Sequence, residues 1–118
     1  MTAHTKVLSA STLSGNTVRN ILGEELGHLE EIMLDLDSGH VAYAVLSAGG
    51  FLGLGEKYFA IPWQALSVDT ENKEIVLDVS KDKLENAPGF DKDNWPETFN
   101  RSWVTEVHSY YGYDPYWN

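Results

Sequence analysis

No cysteine occurs in these 118 residues, which removes disulfide frameworks and thiolate chemistry and fits a reducing compartment. Basic side chains are scarce as well. Eight Lys and Arg stand against eighteen Asp and Glu, a net charge of −10. The basic residues are scattered singly, and Lys81 and Lys83 alternate with Asp82 and Glu85. With no local basic patch, such a surface repels phosphate backbones and anionic membranes. Nucleic acid is therefore not expected as a partner, and the acidity is read as solubility and self-repulsion. Long apolar runs are also missing. The longest, Val41 to Leu46, is far shorter than the ~20 residues that a membrane-crossing helix needs. Nothing behind Met1 to Lys6 resembles the apolar centre of a secretory signal. The expectation is a cytoplasmic protein without membrane insertion.

Catalytic and metal-binding patterns are equally thin. The glycine-rich stretch Gly49 to Gly55 has Gly50 and Gly55 at the spacing of a phosphate loop. Glu56 then intrudes before Lys57, and Tyr58 stands where a magnesium-binding hydroxyl belongs. Asp35-Leu36-Asp37-Ser38-Gly39 opens like a calcium loop, but Leu46 occupies the place of the distal bidentate Glu. His4, His28, His40 and His108 lie at least a dozen residues apart and form no local ligand spacing, so they read as surface histidines. A site assembled from His28, His40 and nearby Glu30, Glu31 or Asp37 stays open if their strands pair. No Gly-x-Ser-x-Gly elbow is present, and pairs such as Glu24-Glu25 read as solvated charge. The chain is expected to lack enzymatic activity, resident metal and cofactor.

What is present is a series of short strands. Thr5 to Ser14 leads in, with Val7, Leu8 and Leu13 as core anchors. Thr17 to Ile21 predicts a first strand, and Glu25 to Leu36 a second. There, Ile32, Leu34 and Leu36 alternate with Met33, Asp35 and Asp37, a half-buried β pattern that turns the leucines inward. Leu29 is out of step with Ile32 across Glu30-Glu31, and one extra residue restores the register, which predicts a β-bulge. Val41 to Leu46 is apolar on both faces and so belongs centrally, with its outer face covered. Tyr58 to Ile61 follows, stopped by Pro62, and Trp63 to Leu66 makes one helical turn. Ser67 to Asp69 pairs with Glu74 to Val79, and Ser80 caps a short helix through Asn86.

These residues carry a resemblance. Leu13-Ser14-Gly15-Asn16-Thr17-Val18, Gly23 to Gly27 running into Ile32-Met33-Leu34-Asp35, and Gly39 to Leu46 follow one another in order. Gly49-Gly50-Phe51-Leu52-Gly53-Leu54-Gly55, Ala60-Ile61-Pro62-Trp63, Val76 to Val79 and Leu84 to Phe90 with Trp95-Pro96 complete the series. In this arrangement the chain resembles the PRC-barrel family over roughly residues 9–96. The fold is shared by the cytoplasmic part of the photosynthetic reaction-centre H subunit and by the C-terminal domain of the ribosome-maturation factor RimM. The resemblance implies a mostly β protein built on a small six-stranded antiparallel barrel, with a short helix near 81–86, and a role in contact between proteins. It divides the chain into a barrel domain, 1–98, and an aromatic helical extension, 99–118.

That extension holds seven of the fourteen aromatic residues. Arg101 to Tyr111 has apolar positions near helical spacing and Gly112 as a stop. Its β-branched and aromatic content makes a poor isolated helix, so it must pack on the barrel or on another chain. Clustered Tyr and Trp are typical of contact patches. The expected interface comprises Phe51, Leu52 and Leu54 of the glycine loop with Trp103, Val107, Tyr110, Tyr111, Tyr113, Tyr116 and Trp117. The leading functional expectation is a non-enzymatic interaction module, a homodimer that also binds an unidentified protein. The alternative is a small-ligand or metal-binding sensor.

Overall fold

Val41–Ala48 is buried along nearly its whole length. That is what an eight-residue strand apolar on both faces requires, and the rest of the fold is arranged to cover it. The structure, a computed structural model, describes residues 7–48, 57–72, 74–90, 95 and 100–117. A one-turn helix α1 (Ala10–Leu13) precedes β1 (Thr17–Arg19), β2 (Glu25–Leu34), β3 (Val41–Ala48) and β4 (Lys57–Ile61). A 3-10 turn at Trp63–Ala65 leads into β5 (Leu66–Asp69) and β6 (Glu74–Leu77), then α2 (Lys81–Glu85), β7 (Gly89–Phe90) and α3 (Arg101–Tyr110).

The strands form one sheet in the order β5-β6-β1-β2-β3-β4-β7. The expectation was a six-stranded antiparallel barrel; the described residues form seven strands, and β1 pairs with β6 in parallel. Two physical reasons account for the difference. β7 is only two residues long, too short to carry an alternating pattern. The β5–β6 hairpin returns to the free edge of β1, a long-range pairing that local periodicity does not encode. Among the described residues no ladder joins β5 to β7, so hydrogen bonds do not close the sheet. It curls nonetheless. Val18, Leu29, Ala44, Leu46, Ile61, Leu66 and Leu77, from six strands, converge on one dry interior.

The expected bulge is present. Leu29 pairs with Leu46 and Glu31 with Val45, which leaves Glu30 as the extra residue. A second irregularity follows at once: Met33 pairs with Tyr43 but Leu34 with Val41, so Ala42 is extra on β3. Beyond it the hairpin overhangs the sheet. Leu34 is 59% and Leu36 89% exposed, against the expectation that both turn inward. Val7 and Leu8 are exposed as well, and only Leu13 of the three lead-in anchors is buried. Val7 and Leu8 precede α1 and its Ser9 cap, so the turn that aims Leu13 at the core does not carry them.

The outer face of β3 and β4 is covered by the chain's own C-terminal part. Tyr43 packs edge-on against Trp103 of α3, ring centroids 5.4 Å apart. Tyr58, Phe90 and Trp95 form an aromatic cluster with centroid separations of 5.1–5.9 Å. α3 turns Val104, Val107 and His108 into this layer. Asn100 starts the helix by accepting a hydrogen bond from the Trp103 amide. Its end is a Schellman motif: Gly112 takes φ +84°, and the amides of Gly112 and Tyr113 return to the carbonyls of Ser109 and His108. No helix among the described residues is long and apolar enough to cross a membrane.

Candidate functional site

The residues after the Schellman turn reach the tip of the β2–β3 hairpin. Asp35 organises that tip: its Oδ1 accepts hydrogen bonds from the amides of Asp37 and Ser38, an Asx-type turn. Its Oδ2 accepts the hydroxyl of Tyr116 at 2.5 Å, which fastens the tail to the hairpin. That hydroxyl hydrogen bond is the main reason the Asp35 carboxyl is held below its ordinary range, with the turn amides adding to it. Tyr116 moves the other way. Burial first, then its hydrogen bond to Asp35 and the nearby negative charge, pushes its phenol up to about 12.

Around this latch lies a cleft of about 670 Å³. Leu34, Leu36 and Asp37 line it from the hairpin, with Tyr116, Trp117 and Arg101 from the C-terminal part. The Arg101 guanidinium sits 4.7 Å from the centre of the Trp117 ring, a cation–π contact. His40 lies beside Tyr116, ring centroids 5.9 Å apart. At the opposite end of β2, Ile21 and Leu22 are also exposed, at 69% and 78%.

The expected interface residues separate into three groups. Phe51, Leu52 and Leu54 lie outside the described residues. Val107 and Tyr111 are buried in the chain's own core, at 1% and 7% exposure, and Trp103 packs on Tyr43 beneath them. Tyr110 is half-buried, and its hydroxyl donates to the Lys83 carbonyl, which fastens α3 to α2. Only Tyr113, Tyr116 and Trp117 remain on the surface side, the latter two at the cleft. The tail thus packs within its own chain.

Sequence reasoning placed His108 at the surface; it is fully buried. Its Nδ1 lies 2.8 Å from the Val104 carbonyl, which only accepts, so Nδ1 carries the proton. Nε2 finds no hydrogen-bond partner among the described residues, and neither does the Tyr111 hydroxyl. Burial pushes the Tyr111 phenol far up. A signal for His108 was available: 104, 107, 108 and 111 follow one helical stripe. The assembled site left open for His28 and His40 does not form, since no group of three metal-ligating side chains occurs among the described residues. Leu34 and Leu36 were overlooked as functional positions because their spacing is that of a buried face.

The family model described as "PRC-barrel domain" matches residues 6–84 of the chain. Among solved structures, the chain is similar to a protein assigned as the 16S ribosomal RNA processing protein RimM of Pseudomonas aeruginosa. The two share 20% identity over 64% of this chain at a TM-score of 0.44, and the match spans 45% of that protein. No curated protein matches.

Proposed function

This chain belongs to the PRC-barrel family, and from that premise we propose that it is a non-enzymatic protein–protein interaction module. The observation that carries the reading is the pair of exposed aliphatic tips at the two ends of β2: Ile21 with Leu22, and Leu34 with Leu36. Each large apolar side chain left in water forgoes about 1.5–3 kcal/mol of burial. Among the described residues Val7, Leu8 and Val68 are the other large aliphatics left exposed, and the clustering of the rest at the two ends of one strand supports a docking surface. The glycine loop bearing Phe51, Leu52 and Leu54 belongs to the same proposal as a self-association surface, with Tyr113 as a further contact. A homodimer built on such contacts must overcome a charge of −10 on each copy.

Native mass spectrometry of the purified protein, at two ionic strengths, tests the reading. The expected spectrum is a dimer with no added mass, its population rising with salt as repulsion is screened. A reproducible small added mass would support the sensor alternative instead.

A further inference from the structure

We propose that the cleft between the β2–β3 hairpin tip and the C-terminal tail is a docking site for a short basic segment of a partner protein, anchored by an apolar side chain. This rests on the interaction-module reading and names its site and partner chemistry.

Two features define the occupant. The first is apolar. Leu34 and Leu36 stand exposed beside the rings of Tyr116 and Trp117, around a cleft of about 670 Å³, room for one or two side chains of a peptide. Leu34 ends β2 and Leu36 lies in the turn that follows, and the two share the exposed face of the hairpin's overhanging end. In the isolated chain nothing among the described residues covers that face. Two large aliphatic side chains left uncovered beside aromatic rings make an apolar anchor point for a partner.

The second feature is charge. Asp35 and Asp37 line the cleft against one cation, Arg101, which already lies on the Trp117 ring. Asp35 keeps its charge while both oxygens are occupied by the turn amides and Tyr116. The Asp37 carboxylate accepts no hydrogen bond from the described residues and is the free contact for a lysine or arginine. The chain's net −10 extends the same preference over longer range and disfavours a second copy as occupant.

The test is an amide-resolved NMR titration of the intact, nitrogen-15-labelled chain with three blocked octapeptides: alternating lysine–leucine, alternating glutamate–leucine, and alternating lysine–glycine. The expected result is saturable shifts at 34–40 and 101–117 with the lysine–leucine peptide and none with the glutamate–leucine peptide. The lysine–glycine peptide should bind about tenfold more weakly or less, since it lacks the anchor. Leu36→Ser and Asp37→Lys, both at exposed positions, should each weaken the first peptide about tenfold without moving the melting temperature. Equal binding of both cationic peptides, shifts spread over the whole acidic surface, or variants that bind as wild type would each overturn the cleft as a specific site. Peptide-free broadening at 34–40 that grows with protein concentration would also overturn it, by assigning the cleft to a second copy. Saturable shifts confined to another face would reject the cleft and leave the interaction-module reading standing; binding of none of the peptides would reject the cleft alone, because the oligomeric state tests that reading separately.

Discussion

A β-carbon added at Gly27 would lie 2.2 Å from the carbonyl oxygen of Ser47 in the neighbouring strand, at a φ of +153°. Neither backbone can retreat without breaking the β2–β3 ladder, so Gly27→Ala should destabilise by about 3 kcal/mol. Gly23, φ +85°, has nothing within 4 Å of the same added atom. Gly23→Ala therefore carries only the left-handed backbone penalty of about 1 kcal/mol. Urea unfolding of the two variants checks the order. His108 offers a test of opposite sign. Its unpaired buried Nε2 is a liability of about 1–3 kcal/mol, and the Val104 carbonyl it meets already lies inside α3. His108→Leu should hold or raise stability, whereas a marked loss would mean that Nε2 is satisfied. The Asp35–Tyr116 pair sets a pH dependence. The carboxyl is depressed in the folded state, so its contribution is present above the ordinary carboxylate range and fades as pH falls through the lowered value. Tyr116 is raised to about 12, so its contribution is intact below 10 and fades as pH climbs from there toward 12. Tyr116→Phe should return the Asp35 carboxyl toward 3.8, read by carbon-13 carboxyl titration.

At the scale of elements, caps and bulges carry more information than propensity. Asn100 accepts the Trp103 amide at the start of α3, a helix too rich in β-branched and aromatic residues to form alone. Asn100→Ala should lower stability by about 1 kcal/mol, measured by thermal melting. The Glu30 bulge could be read from the sequence because Leu29 and Ile32 are both apolar and out of phase. The second bulge, at Ala42, could not: β3 is apolar on both faces, so adding one residue changes no pattern. The exposure of Leu34 and Leu36 escaped the sequence for another reason: β2 ends at Leu34, and Leu36 lies in the turn beyond it. Periodicity reports which residues share a face but not where the sheet beneath them ends. Deleting Glu30 leaves Leu29 with Leu46 and Glu31 with Val45 as consecutive pairs but removes the local bend, so the expected result is a cooperative melt at a lowered temperature.

For the whole molecule, the family fold and the covering of β3 were legible, since a strand apolar on both faces demands a second layer. Which chain supplies that layer was not legible, because the same stripe of Val104, Val107 and Tyr111 would serve a core or a dimer equally well. The structure assigns it to the chain itself. Buried Val104, Val107, His108 and Tyr111 make α3 part of the core. The proposed partner surfaces lie outside this layer, at the exposed aliphatic tips and the cleft beside Tyr116 and Trp117.

The most direct test of that assignment is truncation after Asn100, followed by thermal melting and sedimentation equilibrium beside the full chain. Removing α3 uncovers Tyr43 and Phe90, the rings that Trp103 packs against. The truncated protein should lose its cooperative melt or aggregate, whatever the oligomeric state of the parent. A truncated chain that stays soluble and melts at the parent's temperature would contradict the account and make the tail an interface element after all.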